Sequence, residues 1–317
     1  MGLPVTVYRW DDAGAPNITT MFRSGILNVI KKCLVEGYGS KSPLGWGIAE
    51  EIVGERITFS TAGATGFARI GSNSVSSYAS MYFLTGSEFT PPSTLSKLGN
   101  FKFFQPGSNE NAWILIGTSK GFYFQTWRIG ANNNAREISL INGQCIWVGE
   151  IDSFFAPDPF AMTSVCNNLN SSDTSGTKNE SIGASDNGWW ANRFYDLDNS
   201  GQYAEYKIGH GFVAAAGTDW QKNAGTPEST GVPIMLQDVI IRGGGNPYDL
   251  DYYNKTQANS LTRPFVRGKL PGLFRLSCCL FSDQPWPTIY NANGVDYYCV
   301  PSEYGVTTMI KLDSWYD

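Results

Sequence analysis

The sequence predicts a β-rich α+β protein, with antiparallel sheets and an N-terminal amphipathic helix packed on a sheet. Three observations lead there. Near the N terminus, apolar residues recur at three- and four-residue spacing between positions 20 and 36. From Trp46 onward, short apolar runs are separated by Gly, Asn and Ser, the pattern of antiparallel strands and tight turns. The chain has 317 residues, 42% hydrophobic and 14% aromatic, which is enough apolar surface to offset the entropy of ordering it.

Taken in order, Val5, Val7 and Tyr8 begin an extended segment that ends in the turn-rich Asp11-Asp12-Ala13-Gly14-Ala15-Pro16. A helix fits Thr20 to Glu36. Phe22, Ile26, Val29, Ile30 and Cys33 fall on one face, Thr19 or Thr20 supplies the N-cap oxygen, and Gly37 ends it. Two hairpins follow. Arg56 to Ser60 and Phe67 to Ile70 flank Ala62-Gly63-Ala64-Thr65-Gly66, while Trp113 to Ile116 and Phe122 to Ile129 flank Thr118-Ser119-Lys120-Gly121. Their matching ends, Arg69-Ile70-Gly71 and Arg128-Ile129-Gly130, are explained as well by common turn chemistry as by duplication.

Gln144 to Glu150 reads as a further strand, closed by the proline-punctuated turn Asp152 to Pro159. Later strands are expected at Tyr203 to Lys207, Gly211 to Ala215, Ile234 to Arg242, Phe274 to Phe281, Asp296 to Val300 and Thr307 to Leu312. The resulting organisation is an N-terminal strand, helix and hairpin domain over 1–166 and a polar surface loop or linker over 167–188, rich in Asn, Ser, Thr, Asp and Gly. A C-terminal β-rich region covers 189–317, and the sequence leaves open whether it forms one body with the first.

Charged residues make up only 16% of the chain, against about a quarter in ordinary soluble proteins. Charge is depleted from interface cores, so this composition suits extensive contact with other proteins. The net charge is -5 with no basic block, which argues against nucleic acid as a partner. No stretch reads as a signal peptide or is long enough to span a bilayer. The six cysteines, Cys33, Cys145, Cys166, Cys278, Cys279 and Cys299, contain no C-x-x-C pair and are expected to be reduced, buried thiols.

No catalytic, cofactor or metal site assembles from the residue types. The one histidine, His210, lies in Ile208-Gly209-His210-Gly211-Phe212 beside no G-x-S-x-G nucleophile elbow and reads as a turn residue. Asp196-Leu197-Asp198-Asn199-Ser200-Gly201 begins like a calcium loop, but its twelfth position is Lys207 where a bidentate Glu is needed. Asp249-Leu250-Asp251 follows Gly243-Gly244-Gly245, whose spacing is not that of a phosphate-cradling loop. Acidic residues lie near aromatics at Asp186 to Trp190 and Asp249 to Tyr253, the raw material of a glycan-cleaving carboxylate pair. As possible interaction residues the sequence offers Trp189, Trp190, Tyr248, Tyr252 and Tyr253, able to stack on a host glycan or to anchor a loop or subunit contact.

Several segments together resemble a family of tailed-bacteriophage and prophage proteins. They are Val7-Tyr8-Arg9 with Asp12 to Pro16, Cys33 to Lys41 with Pro43-Leu44-Gly45-Trp46, Phe101 to Gly107, Val148 to Phe154, and Arg267 to Leu273. The polar stretch Asn167 to Gly188 and the Cys278-Cys279 pair depart from that pattern. The resemblance implies a virion-associated protein, made in the host cytoplasm, with no catalytic residue set attached. Combined with low charge and many aromatics, it leads to the expectation of a structural component at the neck, collar or tail. Its partners would be further copies and other phage proteins. A carbohydrate-binding module of the virion is the alternative.

Overall fold

Three stacked antiparallel sheets make up most of the described chain. The computed structural model describes residues 2–18, 23–72, 81–104, 111–127, 129, 145–166, 182, 192–197, 201, 203–209, 234–243, 264, 266–280, 286–302 and 305–317. In chain order the elements are β1 (Leu3–Pro4), β2 (Thr6–Arg9), helix α1 (Arg23–Lys31), β3 (Gly47–Ile52), β4 (Arg56–Ser60), β5 (Phe67–Ser72), β6 (Met81–Thr90), β7 (Thr94–Phe104), β8 (Ala112–Gly117), β9 (Gly121–Trp127) and β10 (Cys145–Glu150). There follow β11 (Asp152–Ser153), β12 (Met162–Val165), β13 (Asn192–Tyr195), β14 (Tyr203–Gly209), β15 (Leu236–Gly243), β16 (Val266–Leu280), β17 (Ile289–Ala292), β18 (Val295–Ser302), β19 (Gly305–Lys311) and β20 (Ser314–Trp315). Among the described residues the protein is β-rich, with antiparallel sheets and one short amphipathic helix on a sheet.

The middle sheet, in the order β12-β10-β9-β8-β2, explains the longest apolar runs of the sequence. Every residue of β8, β9 and β10 is buried, because both faces of the sheet are covered. Trp113, Leu115, Phe122, Phe124, Ile146 and Val148 point to one core, shared with the sheet β3-β4-β5-β6-β7 and the helix. Ile114, Ile116, Tyr123, Trp127, Cys145 and Trp147 point to the other, shared with the sheet β13-β14-β15-β16-β19-β18-β17. This second core joins residues from both sides of the 167–188 stretch, with Val165 and Trp147 in the same cluster as Leu270, Tyr298 and Ile310.

Ile26, Val29, Ile30 and Cys33 are fully buried on the helix face, together with Ile57, Phe59 and Ile70 of the sheet. The expected helix 20–36 is regular only over Arg23–Lys31; Lys32–Glu36 form a π-helical turn closed by Gly37 N–H on the Lys32 carbonyl at 2.7 Å. The freed carbonyls of Cys33 and Leu34 accept from the amides of Leu44 and Trp46, both at 3.0 Å, so the helix end is bonded to the chain that follows it. Thr19, Thr20 and Phe22 lie outside the described residues.

Some strand limits also differ from expectation. Val5 lies between β1 and β2, where its amide bonds the Asp313 carbonyl at 3.0 Å, and β1 pairs with β20. The strand expected from Phe122 ends at Trp127, and that expected from Phe274 begins already at Val266. The expected strand Gly211 to Ala215 falls outside the described residues.

Candidate interaction surface

Sequence segments that lie far apart in the chain are tied together in pairs. Asp12 Oδ2 accepts from the Tyr38 hydroxyl and from the Arg9 amide, each at 2.8 Å. Lys41 Nζ donates to the Val7 carbonyl at 2.9 Å, and the Tyr8 hydroxyl donates to the Ser42 carbonyl at 2.6 Å. The first two motif segments, 7–16 and 33–46, thus form one joint. Its rings continue into the core, with Tyr38 in tilted contact with Tyr8 at 5.9 Å and edge-on to Trp113 at 6.1 Å. Burial pushes both phenols far above their ordinary range, and for Tyr38 the bond to the Asp12 carboxylate adds to the effect. They remain neutral donors, suited to holding strands together rather than to proton transfer.

A second joint unites two later motif segments. Asp152 and Ser153 of β11 pair with Lys269 and Gly268 of β16, and the Phe154 amide bonds the Arg267 carbonyl at 2.9 Å. Beneath them Arg267 grips Asp158 with two bonds, Nε to Oδ2 at 3.0 Å and Nη2 to Oδ1 at 2.7 Å. The same carboxylate accepts from Ser153 Oγ at 2.8 Å and from the Phe160 amide at 3.0 Å. Arg267 Nη1 also donates to the Tyr195 carbonyl at 2.5 Å, and its guanidinium lies over the rings of Phe194 and Tyr206 at 4.9 and 5.6 Å. Of the remaining motif, Phe101 to Phe104 end β7, and 105–107 lie outside the described residues.

This buried clamp presents an apolar step to solvent. Phe154 and Phe155 are 56% and 42% exposed, and Val266, next to Arg267 on β16, is 36% exposed. Two adjacent aromatic rings held outward at the base of a fixed loop are unusual on a surface meant to stay wet. The stretch reads from sequence as a turn, whereas its first two residues, Asp152 and Ser153, form β11. The sequence signal for the apolar step is the Phe-Phe pair inside Asp152 to Pro159.

The residues singled out from sequence, Trp189, Trp190, Tyr248, Tyr252 and Tyr253, lie outside the described residues, as do His210, Asp249 and Asp251. Of the calcium-like stretch, Asp196 is buried and 198–200 are outside the description. Among the described residues there is no group of three or more His, Cys, Asp and Glu side chains able to hold a metal ion. No helix among them is long and apolar enough to cross a membrane. Cys33, Cys145 and Cys299 are buried free thiols, and Cys166 is buried as well. The sequence matches no protein-family model and no curated protein.

Proposed function

We propose that this chain is a non-enzymatic structural component of a tailed-bacteriophage virion, at the neck, collar or tail, working through contacts with further copies of itself and with other particle proteins. The observation that carries the reading is the Phe154–Phe155 step mounted on the Asp158–Arg267 clamp. A rigid apolar projection enters a subunit contact with little ordering cost, and repetition around a symmetric particle multiplies a modest single contact. The low charge of the chain supports the same reading. Mass spectrometry of purified virions is expected to find this chain at a fixed copy number. Phe154→Ser with Phe155→Ser is expected to leave the fold intact while lowering incorporation by at least tenfold. Mature particles that lack the chain, or that incorporate the double variant normally, would overturn the proposal.

A further inference from the structure

The hairpin β6–β7 folds back onto its own sheet. Arg69 of β5, which stands opposite Leu84 of β6, donates through Nη2 to the carbonyl of Ser93 at the hairpin tip, at 2.7 Å. Run straight, the hairpin would place Ser93, which comes level with Pro91 in the Thr90–Thr94 register, about 23 Å from Leu84 at roughly 3.3 Å per residue, far beyond an arginine's reach. The hairpin therefore bends, and the register shift between Leu84 and Gly86 supplies an irregularity in its ladder at which it can do so. A side chain on Gly86 would lie 2.8 Å from both Leu95 Cγ and the Ser96 carbonyl, so the two strands close tightly at this hinge.

The folded-back tip is held on the outer face of the sheet by contacts to β5 and, at its base, by Lys97, whose Nζ lies 5.0 Å from the centre of the Tyr195 ring. Phe89 meets Phe67 at 5.7 Å, and Arg69 supplies the bond to Ser93 while also donating to Glu50 Oε2 and Thr58 Oγ1, both at 3.0 Å. Glu88, Thr90, Pro91, Pro92 and Thr94 stay exposed. The receiving surface, Phe67 and Arg69, belongs to β5 and not to the hairpin. Any second copy presents the same surface, so a hairpin opened at its hinge finds there the partners it left, with no new chemistry required.

We propose that the β6–β7 tip, residues 86–97, is an exchangeable arm that docks on the Phe67–Arg69 face of a second copy when the chain assembles. The proposal rests on the reading of this protein as a repeated particle subunit. It is tested by mixing full-length chains bearing Arg69→Cys with chains bearing Ser93→Cys and treating them with a short bismaleimide. Each variant alone serves as the control for native thiols. Phe67→Cys mixed with Phe89→Cys is the second pair, in case one variant folds poorly. Mixed covalent dimers are expected, at least tenfold above the controls and increasing with chain concentration. The proposal is overturned if cross-links form only when both cysteines sit in the same chain, if no cross-link forms in either arrangement, or if the chain stays monomeric at every concentration. Recovery of the chain from virions in that case would leave the structural reading standing and remove the arm alone.

Discussion

Arg267 and Asp158 form a two-bond ion pair from which water is excluded, their side chains being 0% and 2% exposed. The pair ties the loop after β11 to the start of β16, and so joins the two motif segments beneath the exposed phenylalanines. Removing one partner strands a charge in a low-dielectric site. Arg267→Met or Asp158→Asn should therefore each cost about 3–5 kcal/mol of unfolding free energy. Arg267→Met combined with Asp158→Leu should recover much of that loss, since no charge then stays buried. Urea unfolding with an unchanged m-value is the measurement, and single-variant losses below about 1 kcal/mol would show that the clamp does not hold the loop.

A polar tie crosses the second core. Trp286 Nε1 donates to the Tyr298 hydroxyl at 3.0 Å, and that hydroxyl donates to Gln125 Oε1 at 2.5 Å, linking β18 to β9. Burial pushes the Tyr298 phenol well above its ordinary value, so it is a neutral donor at neutral pH. Tyr298→Phe leaves the buried Trp286 N–H without this acceptor and should cost about 1–3 kcal/mol. Trp286→Phe in addition should cost less than its separate effect, because both changes cut the same chain. Strict additivity in thermal unfolding would contradict the tie.

How legible each element is depends on which of its faces are buried. The middle sheet is readable because Trp113 to Ile116 and Phe122 to Phe124 are apolar at every position, each side chain having a core on its own side. The helix is readable from Ile26, Val29, Ile30 and Cys33, but its π-helical end is set by bonds to Leu44 and Trp46, which no local pattern encodes. The β6–β7 hairpin escapes notice because its outer face is also aromatic, Tyr82 stacking on Phe101 at 5.5 Å, so the alternation is lost. Pro271-Gly272 reads as a break, yet β16 runs through it. A register shift between Asp238 and Ile240 absorbs the irregularity, and the Pro271 carbonyl accepts from the Tyr123 hydroxyl at 2.9 Å. The β17–β18 hairpin is marked in the sequence by Asn293-Gly294, whose φ angles of 52 and 81 degrees make the two-residue turn. For the interaction surface, the Phe-Phe pair was visible in the sequence, but the Arg267–Asp158 clamp that fixes it spans more than a hundred positions and was not.

Glu50 should make stability depend on acid. Burial alone would raise its pKa, but bonds from Arg56 and Thr58 and the charge of Arg69 outweigh that and hold the carboxyl below its ordinary value of 4.5. Because the folded state binds the proton less readily than the unfolded chain, the contribution is complete above the ordinary value and is lost as pH falls through the lower, folded one. Urea midpoints taken from neutral pH to about pH 3 should thus decline less steeply for Glu50→Gln than for the parent chain, with the two converging in acid. Parallel curves would remove Glu50 as a source of the acid sensitivity.

The buried thiols should report on opening of the cores. Burial pushes the thiols of Cys33, Cys145 and Cys299 up, with the Asp12 charge adding to the effect at Cys33 and Cys166 adding to it at Cys145. Alkylation needs the thiolate, and here both the ionisation and the approach of the reagent are opposed. In the folded chain, iodoacetamide followed by peptide mapping should find these three positions labelled on the order of a thousandfold more slowly than in urea, at a rate that follows local opening. Cys33 lies in the helix-side core, whereas Cys145 and Cys299 lie in the other. A destabilised Arg267→Met chain, weakened on the side of the second core, should therefore speed labelling of Cys145 and Cys299 before that of Cys33. Equal acceleration at all three would mean that the two cores open as a single unit.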